Sequence, residues 1–440
     1  MHKKFRFSVA LLCLSLILNG TTFSAAASDN RVIGFKISSL LYDSSQGKGV
    51  PTPPAVIEKI KKAFKLWESD KADGLHFDYK GLFEQNYKDA YNLPNDGNIY
   101  IILNGKGSEE EGVAGEGSYL GKIPNDYKKG WAALSTARGF FTLSFNTLIH
   151  EIGHALGLQH SPSPANIMFC GTHAWGDDEY LTFSEQDRAD LRGQWAPDSV
   201  YSISGVAETS ETSKWLMVYA VNIENGHAYS ALTDNKGAFT IHLLKAAEYR
   251  VFAKGYEHGA DKPFKQCPSW FISNEKSTND PYAGTVLSVN DSRRDIRDIR
   301  IRLIDKAVPF NLFRGWMDLN KKDIPRFSFL TAGASSTFSL FSIPQGALKS
   351  VEGYGKAPDY SFSALHWETP GGFHVTATIK SGAEEGERLM IAKGDEDIIQ
   401  AGLVGLNIVK EAPREISVSP EEQVAGKFDY VTLDAHYWQK

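Results

Sequence analysis

The stretch that decides the reading is "TLIHEIGHALGLQHS", residues 147–161, in which three histidines and one glutamate stand among small and apolar residues. On an α-helix, positions four apart lie one above the other on the same face. His150 and His154 therefore present two imidazoles at a separation one ion can bridge. Glu151, next to the first of them, can reach a water on that ion without ligating the ion itself. Gly157 lets the chain leave the helix through a conformation other residues resist, and the turn returns His160 as a third nitrogen. Three neutral imidazoles, with a fourth position left to water, suit Zn2+ in its catalytic rather than its structural arrangement. H-E-x-x-H alone arises by chance in about one chain of this length in twenty, and requiring Gly157 and His160 makes the string about 400-fold rarer. The bland alternative is a core helix whose polar groups are satisfied by neighbours. Three histidines and a carboxylate packed without an ion would carry a large desolvation cost, which favours the metal.

The 440-residue chain is long for one domain and comfortable for two or three. Apolar content of 42% and charged content of 23% exclude wholesale disorder. Residues 1–27 read as a secretory signal peptide: "HKKFRF" is basic, "SVALLCLSLIL" is apolar, and "SAAAS" offers small residues for cleavage near Ala27. The apolar stretch is too short to span a bilayer, and no later run is long enough, so no transmembrane anchor is expected. Leu12 precedes Cys13 where a lipid-attachment site needs a small residue, which argues against a lipoprotein. An exported, soluble protein follows, whether secreted, periplasmic or held at the cell surface. Without Lys3, Lys4 and Arg6, the 47 basic residues fall to 44 against 53 acidic ones, a formal charge of −9. No basic cluster stands out, so nucleic acid and anionic membranes are poor partners. Cys170 and Cys267 remain beyond the leader; an oxidising exterior permits a bridge between them, while two separate buried thiols are the simpler reading.

Residues 28–198 read as mixed α and β. "RVIGFKISSLLY" is an opening strand, and "PPAVIEKIKKAFKLWES" repeats Val56, Ile57, Ile60, Phe64 and Trp67 at helical spacing after a proline. "LHFDY", "NIYIIL" and "WAALS" are further strands, and "NGKGSEEEGVAGEGSYLG" is a glycine-rich loop. The metal helix is expected to be capped by Ser144 and stopped by Gly157, and Ser184 with Asp187 signs the start of a terminal helix. Beyond "APDS" the texture turns to short Val-, Ile-, Tyr- and Phe-rich runs with tight turns at Asn225-Gly226 and Asn235-Lys236-Gly237. Two all-β sandwich domains, 199–305 and 306–440, are the economical reading. The expected fold class is thus an α+β domain followed by two β-sandwiches.

The string H-E-x-x-H-x-x-G-x-x-H resembles the metzincin zinc endopeptidases, and within them "HEIGHALGLQHS" is most similar to the matrixins. Met168, in "ANIMFCG", lies eight residues past His160, at the matrixin Met-turn spacing. The resemblance implies that Met168 forms an apolar floor beneath the zinc, a supporting rather than a chemical part. "AVIEKIKKAFKLWES…LHFDY" and "TFSEQDRADL" extend the likeness over roughly residues 30–198. It also implies that a strand before the metal helix holds substrate by β-augmentation, either "SYLGKIP" or "WAALS".

Departures from the family set limits. Fewer than thirty residues, none of them cysteine, separate the leader from the first helix, so the cysteine-bearing inhibitory propeptide of animal matrixins is not expected. His76 is the one histidine between the leader and the metal helix, so no second zinc of the matrixin type is expected. Glu109, Glu110, Glu111 and Glu116 offer oxygen ligands for Ca2+, although a plain solvated loop is the simpler reading. The segment "FCGTHAW" departs from the usual specificity-pocket wall, so substrate preference does not transfer; His173 within it reads as a pocket or surface residue. "TDNKGAF" followed by "YRVFAKGY" resembles a carboxypeptidase-regulatory-like β-sandwich module, which carries no catalytic residue. The aromatics of the last segment, Trp316, Phe327, Phe329, Phe338, Phe341, Trp367 and Trp438, read as core rather than as a sugar platform.

The resemblance implies a zinc endopeptidase, the leader implies export, and a monomer is expected. His150, His154 and His160 are its metal ligands, Glu151 its general base, and proteins or peptides its substrates. An adhesin or extracellular binding protein with a vestigial metal domain is the alternative; an intact Glu151 argues against it, because a structural zinc needs no base.

Overall fold

The structure is a computed structural model. It describes residues 31–43, 48–69, 74–84, 92–105, 115–135, 145–163, 165–169, 183–210, 216–255, 267–305, 311–313, 328–343, 348–368, 372–394 and 399–410. The signal-peptide reading, the Ser144 cap, Glu109 to Glu111, Cys170 and His173 fall outside these residues, as do Trp316, Phe327 and Trp438. The suggested Cys170–Cys267 bridge therefore has one end outside them. Cys267 itself is buried, with its Sγ 3.8 Å from Ile304 O.

The first segment is built from strands β1 Arg31–Ser38, β2 Leu40–Asp43 and β3 Lys48–Pro51, helix α1 Pro54–Ser69, and strands β4 Leu75–Phe83, β5 Ile99–Gly105, β6 Gly115–Lys122 and β7 Asp126–Ser135. Helices α2 Phe145–Ala155 and α3 Glu185–Trp195 follow. Its five-stranded sheet has the order β4-β1-β5-β7-β6, parallel except for β6. A parallel strand covered on both faces reads as a continuous apolar run, and β5, "IYIILNG", does so. Ile99, Ile101 and Leu103 join the core under the helices, while Tyr100 and Ile102 pack on the opposite face with Leu93, Trp131 and Ala133.

Helix α1 opens with proline at its first position, where a missing N–H costs nothing. Val56, Ile60, Ala63, Phe64 and Trp67 then recur on one face and are all 2% exposed or less. Phe64 stacks on Phe35 of β1 with ring centroids 3.9 Å apart, and the Trp67 indole N–H donates to Ile149 O of α2 at 3.1 Å. Each such buried aromatic contributes ~1.5–3 kcal/mol, so α1 is clamped between the sheet and α2.

The first β segment comprises β8 Tyr201–Glu208, β9 Leu216–Asn222, β10 His227–Leu232, β11 Ala238–Leu243, β12 Ala247–Gly255, β13 Ser269–Ser273, β14 Lys276–Thr278, β15 Leu287–Val289 and β16 Asp295–Arg302. The second comprises β17 Asn311–Phe313, β18 Ser328–Leu330, β19 Ser335–Ile343, β20 Leu348–Gly353, β21 Tyr360–Phe362, β22 His366–Glu368, β23 Gly372–Ile379, β24 Gly386–Gly394 and β25 Ile399–Ile408. One ten-stranded sheet runs through both segments, on either side of the division expected at residue 305. Its order is β14-β13-β12-β9-β10-β24-β25-β18, with β15 on β12 and β20 on β24. The join is antiparallel, His227 opposite Arg388 and Ala228 opposite Glu387. Two smaller sheets share one core each with this large sheet: β11-β8-β16 with its first half, and β17-β19-β23-β21 with β22 with its second. A further cluster draws Tyr219, Phe252 and Trp270 from the first segment together with Tyr354, Leu389 and Ile391 from the second. A polar-apolar alternation announces a strand and says nothing about which distant strand will pair with it. That is why the join escapes a reading of the sequence.

Candidate metal centre

Helix α2 carries two of the three histidines and the glutamate. The spacing His150 to His154 is one turn, and the turn after Ala155 is closed by two backbone bonds: Leu158 N to Gly153 O at 3.0 Å and Gly157 N to His154 O at 3.0 Å. This crossed pair requires a left-handed residue, and Gly157 has φ 93°. The last carbonyls of α2 find side chains instead: Tyr127 O–H donates to Ala155 O at 2.8 Å and the Trp195 indole N–H to Leu156 O at 2.9 Å. The chain then doubles back, and His160 returns to the helix.

The ligand nitrogens of His150, His154 and His160 all lie within 4.8 Å of one another. A carbonyl oxygen only accepts. His150 Nδ1–H therefore donates to Ile167 O at 2.7 Å and His154 Nδ1–H to Leu158 O at 2.9 Å. That fixes the tautomer and leaves each Nε2 as a lone pair for an ion. The Nε2 atoms of His154 and His160 are 3.1 Å apart. Two nitrogens bound tetrahedrally at 2.0–2.1 Å stand about 3.3 Å from each other, so this spacing fits a shared Zn2+. Burial lowers the pKa of all three imidazoles, that of His154 to about 3 with help from His150. They are neutral at pH 7, the form a metal takes.

Glu151 is 6% exposed and its side chain lies against β6. A Cβ on Gly115 would stand 2.7 Å from Glu151 Cγ, and one on Gly117 would stand 2.4 Å from Glu151 O and 2.7 Å from His154 Cβ. Glycine at both positions is what lets strand and helix approach this closely. Burial first, then the charge of Glu116, push the Glu151 carboxyl up to about 8; a cation bound beside it would favour the carboxylate. Of the two strand candidates for holding substrate, "WAALS" lies in β7 between β5 and β6, with both edges engaged. "SYLGK" lies in β6, the last strand of its sheet.

Met168 is fully buried, and a Cβ added at Gly153 would stand 2.3 Å from its Sδ, so the methionine packs directly beneath α2. The Met168 segment is held by Asp187, which accepts from Ile167 N at 3.1 Å and from Met168 N at 3.4 Å while completing the capping box of α3 with Ser184. Burial raises Asp187 to about 6 against these hydrogen bonds. The sequence marks Asp187 as a cap; its grip on the Met168 turn is visible only in three dimensions. His76 stands apart from this centre, paired with Glu68 at 2.6 Å on a half-exposed face.

Comparison with known proteins adds a family match over this segment. Residues 38–194 match the family model of the matrixins. Among solved structures, a candidate adhesin from Bacteroides ovatus is similar at 11% identity, over 52% of this chain and 94% of its own, with TM-score 0.17. The fimbrial anchor protein Mfa2 from Porphyromonas gingivalis is similar at 12% identity, over 45% and 80%, with TM-score 0.15. The glucan-utilization protein SGBP-B of Bacteroides ovatus, in complex with a mixed-linkage heptasaccharide, is similar at 13% identity, over 48% and 41%, with TM-score 0.16. Likenesses this slight carry no argument about this chain. Among the described residues no helix is long and apolar enough to cross a membrane. Residues 38–194, which hold the three convergent histidines, are a matrixin-like domain.

Proposed function

We propose that this chain is an exported zinc endopeptidase of metzincin type that hydrolyses internal peptide bonds of protein or peptide substrates. His150, His154 and His160 hold the metal, Glu151 is the general base, and Met168 is the apolar floor. When bound, zinc acidifies its water and polarises the scissile carbonyl. Glu151 accepts the proton of the attacking water and returns it to the leaving amine. The open edge of β6 receives the substrate backbone as an added strand, with the scissile bond carried past Glu151. The supporting observation is the convergence of three neutral imidazole nitrogens within 4.8 Å beside a buried carboxyl. A core helix has no use for such a set. The chain acts as a monomer, and no calcium is assigned.

The reading is tested by metal content after extensive dialysis. One zinc per chain is expected in the parent and none in His154→Ala. Equal zinc in both would place the metal elsewhere and end this assignment.

A further inference from the structure

We propose that Glu387, on β24 of the second β segment, is a positioning residue of the metal centre, resting on the function proposed above. The Ser163 hydroxyl donates to the Glu387 carboxyl, although the two residues are 224 positions apart. Ser163 lies in the short loop between the third histidine and Met168, and that loop shapes two of the three ligands. His160 immediately precedes it, and Ile167 O within it receives the His150 Nδ1–H.

The loop is tied internally. Ser163 Oγ accepts from Ala165 N at 3.3 Å, Ser161 Oγ accepts from Ser163 N at 3.3 Å and from the Asn166 amide, and Ser161 N donates to Met168 O at 2.6 Å. Ser161, Ser163, Asn166, Asp187 and Glu387 are all 4% exposed or less. Asp187 anchors the loop from within its own domain, and Glu387 anchors it from the β body. A buried hydroxyl deprived of its acceptor loses a bond that water cannot replace, so the loop has reason to move if Glu387 is removed.

The anchor is itself braced. The neighbouring Arg388 makes a two-pronged ion pair with Asp359, at 2.7 and 2.6 Å, and donates to Gly386 O and Glu384 O. Around it, α3 docks on β10 and β24. Gln186 accepts from Ser230 N at 2.7 Å, Glu185 accepts from Tyr229 O–H at 3.1 Å, and Arg188 meets Glu385 at 2.9 Å. The β body therefore supplies a fixed wall for the metal loop, as outer partners of metal ligands do elsewhere.

The test uses the full-length chain loaded with Co2+ or Zn2+. Glu387→Ala, Glu387→Gln and Ser163→Ala are compared with Glu385→Ala as a control at the same dock. The visible cobalt spectrum reads ligand geometry, chelator competition reads affinity, and peptide cleavage reads kcat and KM. Glu387→Ala and Ser163→Ala are expected to alter the cobalt spectrum, weaken metal binding about 10-fold and lower kcat with little change in KM. Glu387→Gln keeps an acceptor and is expected to stay within about 2-fold of the parent, as is Glu385→Ala. Should Glu387→Ala fail to fold, Ser163→Ala carries the test alone. An unchanged spectrum and affinity in Ser163→Ala overturn the inference, whatever the parent cleaves. An altered spectrum in the variants, beside a parent that cleaves nothing, supports Glu387 and defeats the peptidase reading alone.

Discussion

Replacing Gly117 by alanine puts the close packing of β6 on α2 to a quantitative test. The added Cβ would stand 2.4 Å from Glu151 O and 2.7 Å from His154 Cβ, whereas carbon contacts are comfortable at about 3.5–4.0 Å. The overlap is therefore on the order of 1 Å, and something must move. The helix resists, because the side chains of Trp67, Tyr127 and Trp195 hold its carbonyls at Ile149, Ala155 and Leu156. The edge strand β6 yields instead. Overpacking of this kind costs ~1–3 kcal/mol, and the lost backbone freedom of glycine returns ~0.4–1 kcal/mol, for a net loss of ~1–2 kcal/mol. At ~2–4 °C per kcal/mol, the melting temperature should fall by ~2–8 °C. A strand displaced by ~1 Å also misplaces its substrate, so kcat/KM should drop by up to ~100-fold. Gly115→Ala makes the contrast. The three atoms nearest its Cβ, at 2.7–3.0 Å, all belong to the Glu151 side chain and none to backbone, so stability should fall less than in Gly117→Ala while activity falls. Thermal melts and peptide kinetics on both variants decide the matter. Gly117→Ala with parental melting and parental kcat/KM, or Gly115→Ala as the less stable of the two, would refute the argument.

Two further predictions follow from the same geometry. Gly157→Ala forces a side chain into φ 93° and should cost ~1–2 kcal/mol by urea unfolding, with weakened zinc retention because His160 is placed by that turn. The dock between α3 and the β body should respond to pH in two directions. Burial, and then the Asp187 charge, raise Glu387 to about 8 from an ordinary 4.5, so its favourable contribution is complete below about 4.5 and lost as pH rises through about 8. Burial opposes the ionised Glu185, yet His227, Lys245 and Tyr229 outweigh it and hold the carboxyl down to about 2. That contribution is present above about 4.5 and lost as pH falls through about 2. Glu151, also raised to about 8, acts over the same window, so unfolding followed from pH 5 to 8.5 should lose less stability in Glu387→Gln than in the parent; an equal loss in both would contradict the assignment.

The histidine cluster is the most legible part of this chain because its logic is local. His150, Glu151 and His154 share one helix face, and Gly157 and His160 lie within the next turn, so spacing alone forecasts their convergence. Helix α1 is legible for the same reason, through the period of Val56, Ile60, Phe64 and Trp67. Features that depend on contacts between distant segments are not. The choice of β6 over β7 as the open edge requires the strand order, which the sequence does not contain. Asp187 advertises its cap three residues after Ser184, but its bonds to Ile167 N and Met168 N depend on how α3 docks. Glu387 has no local signature at all: an acidic residue at the start of a strand reads as surface, and here it is 4% exposed because the matrixin-like domain covers it. The single sheet through both β segments is hidden likewise, since β10 and β24 meet across more than a hundred and fifty residues of intervening chain.

Peptide hydrolysis at the histidine cluster, as proposed, depends on Glu151 as base. The most direct measurement is cleavage of a mixed peptide library by the zinc-loaded chain beside Glu151→Gln, with folding and zinc content matched. Cleavage by the parent is expected, with at least a ~100-fold loss in the variant at equal zinc occupancy. Equal cleavage by both, or none by a folded and zinc-bound parent, would contradict it.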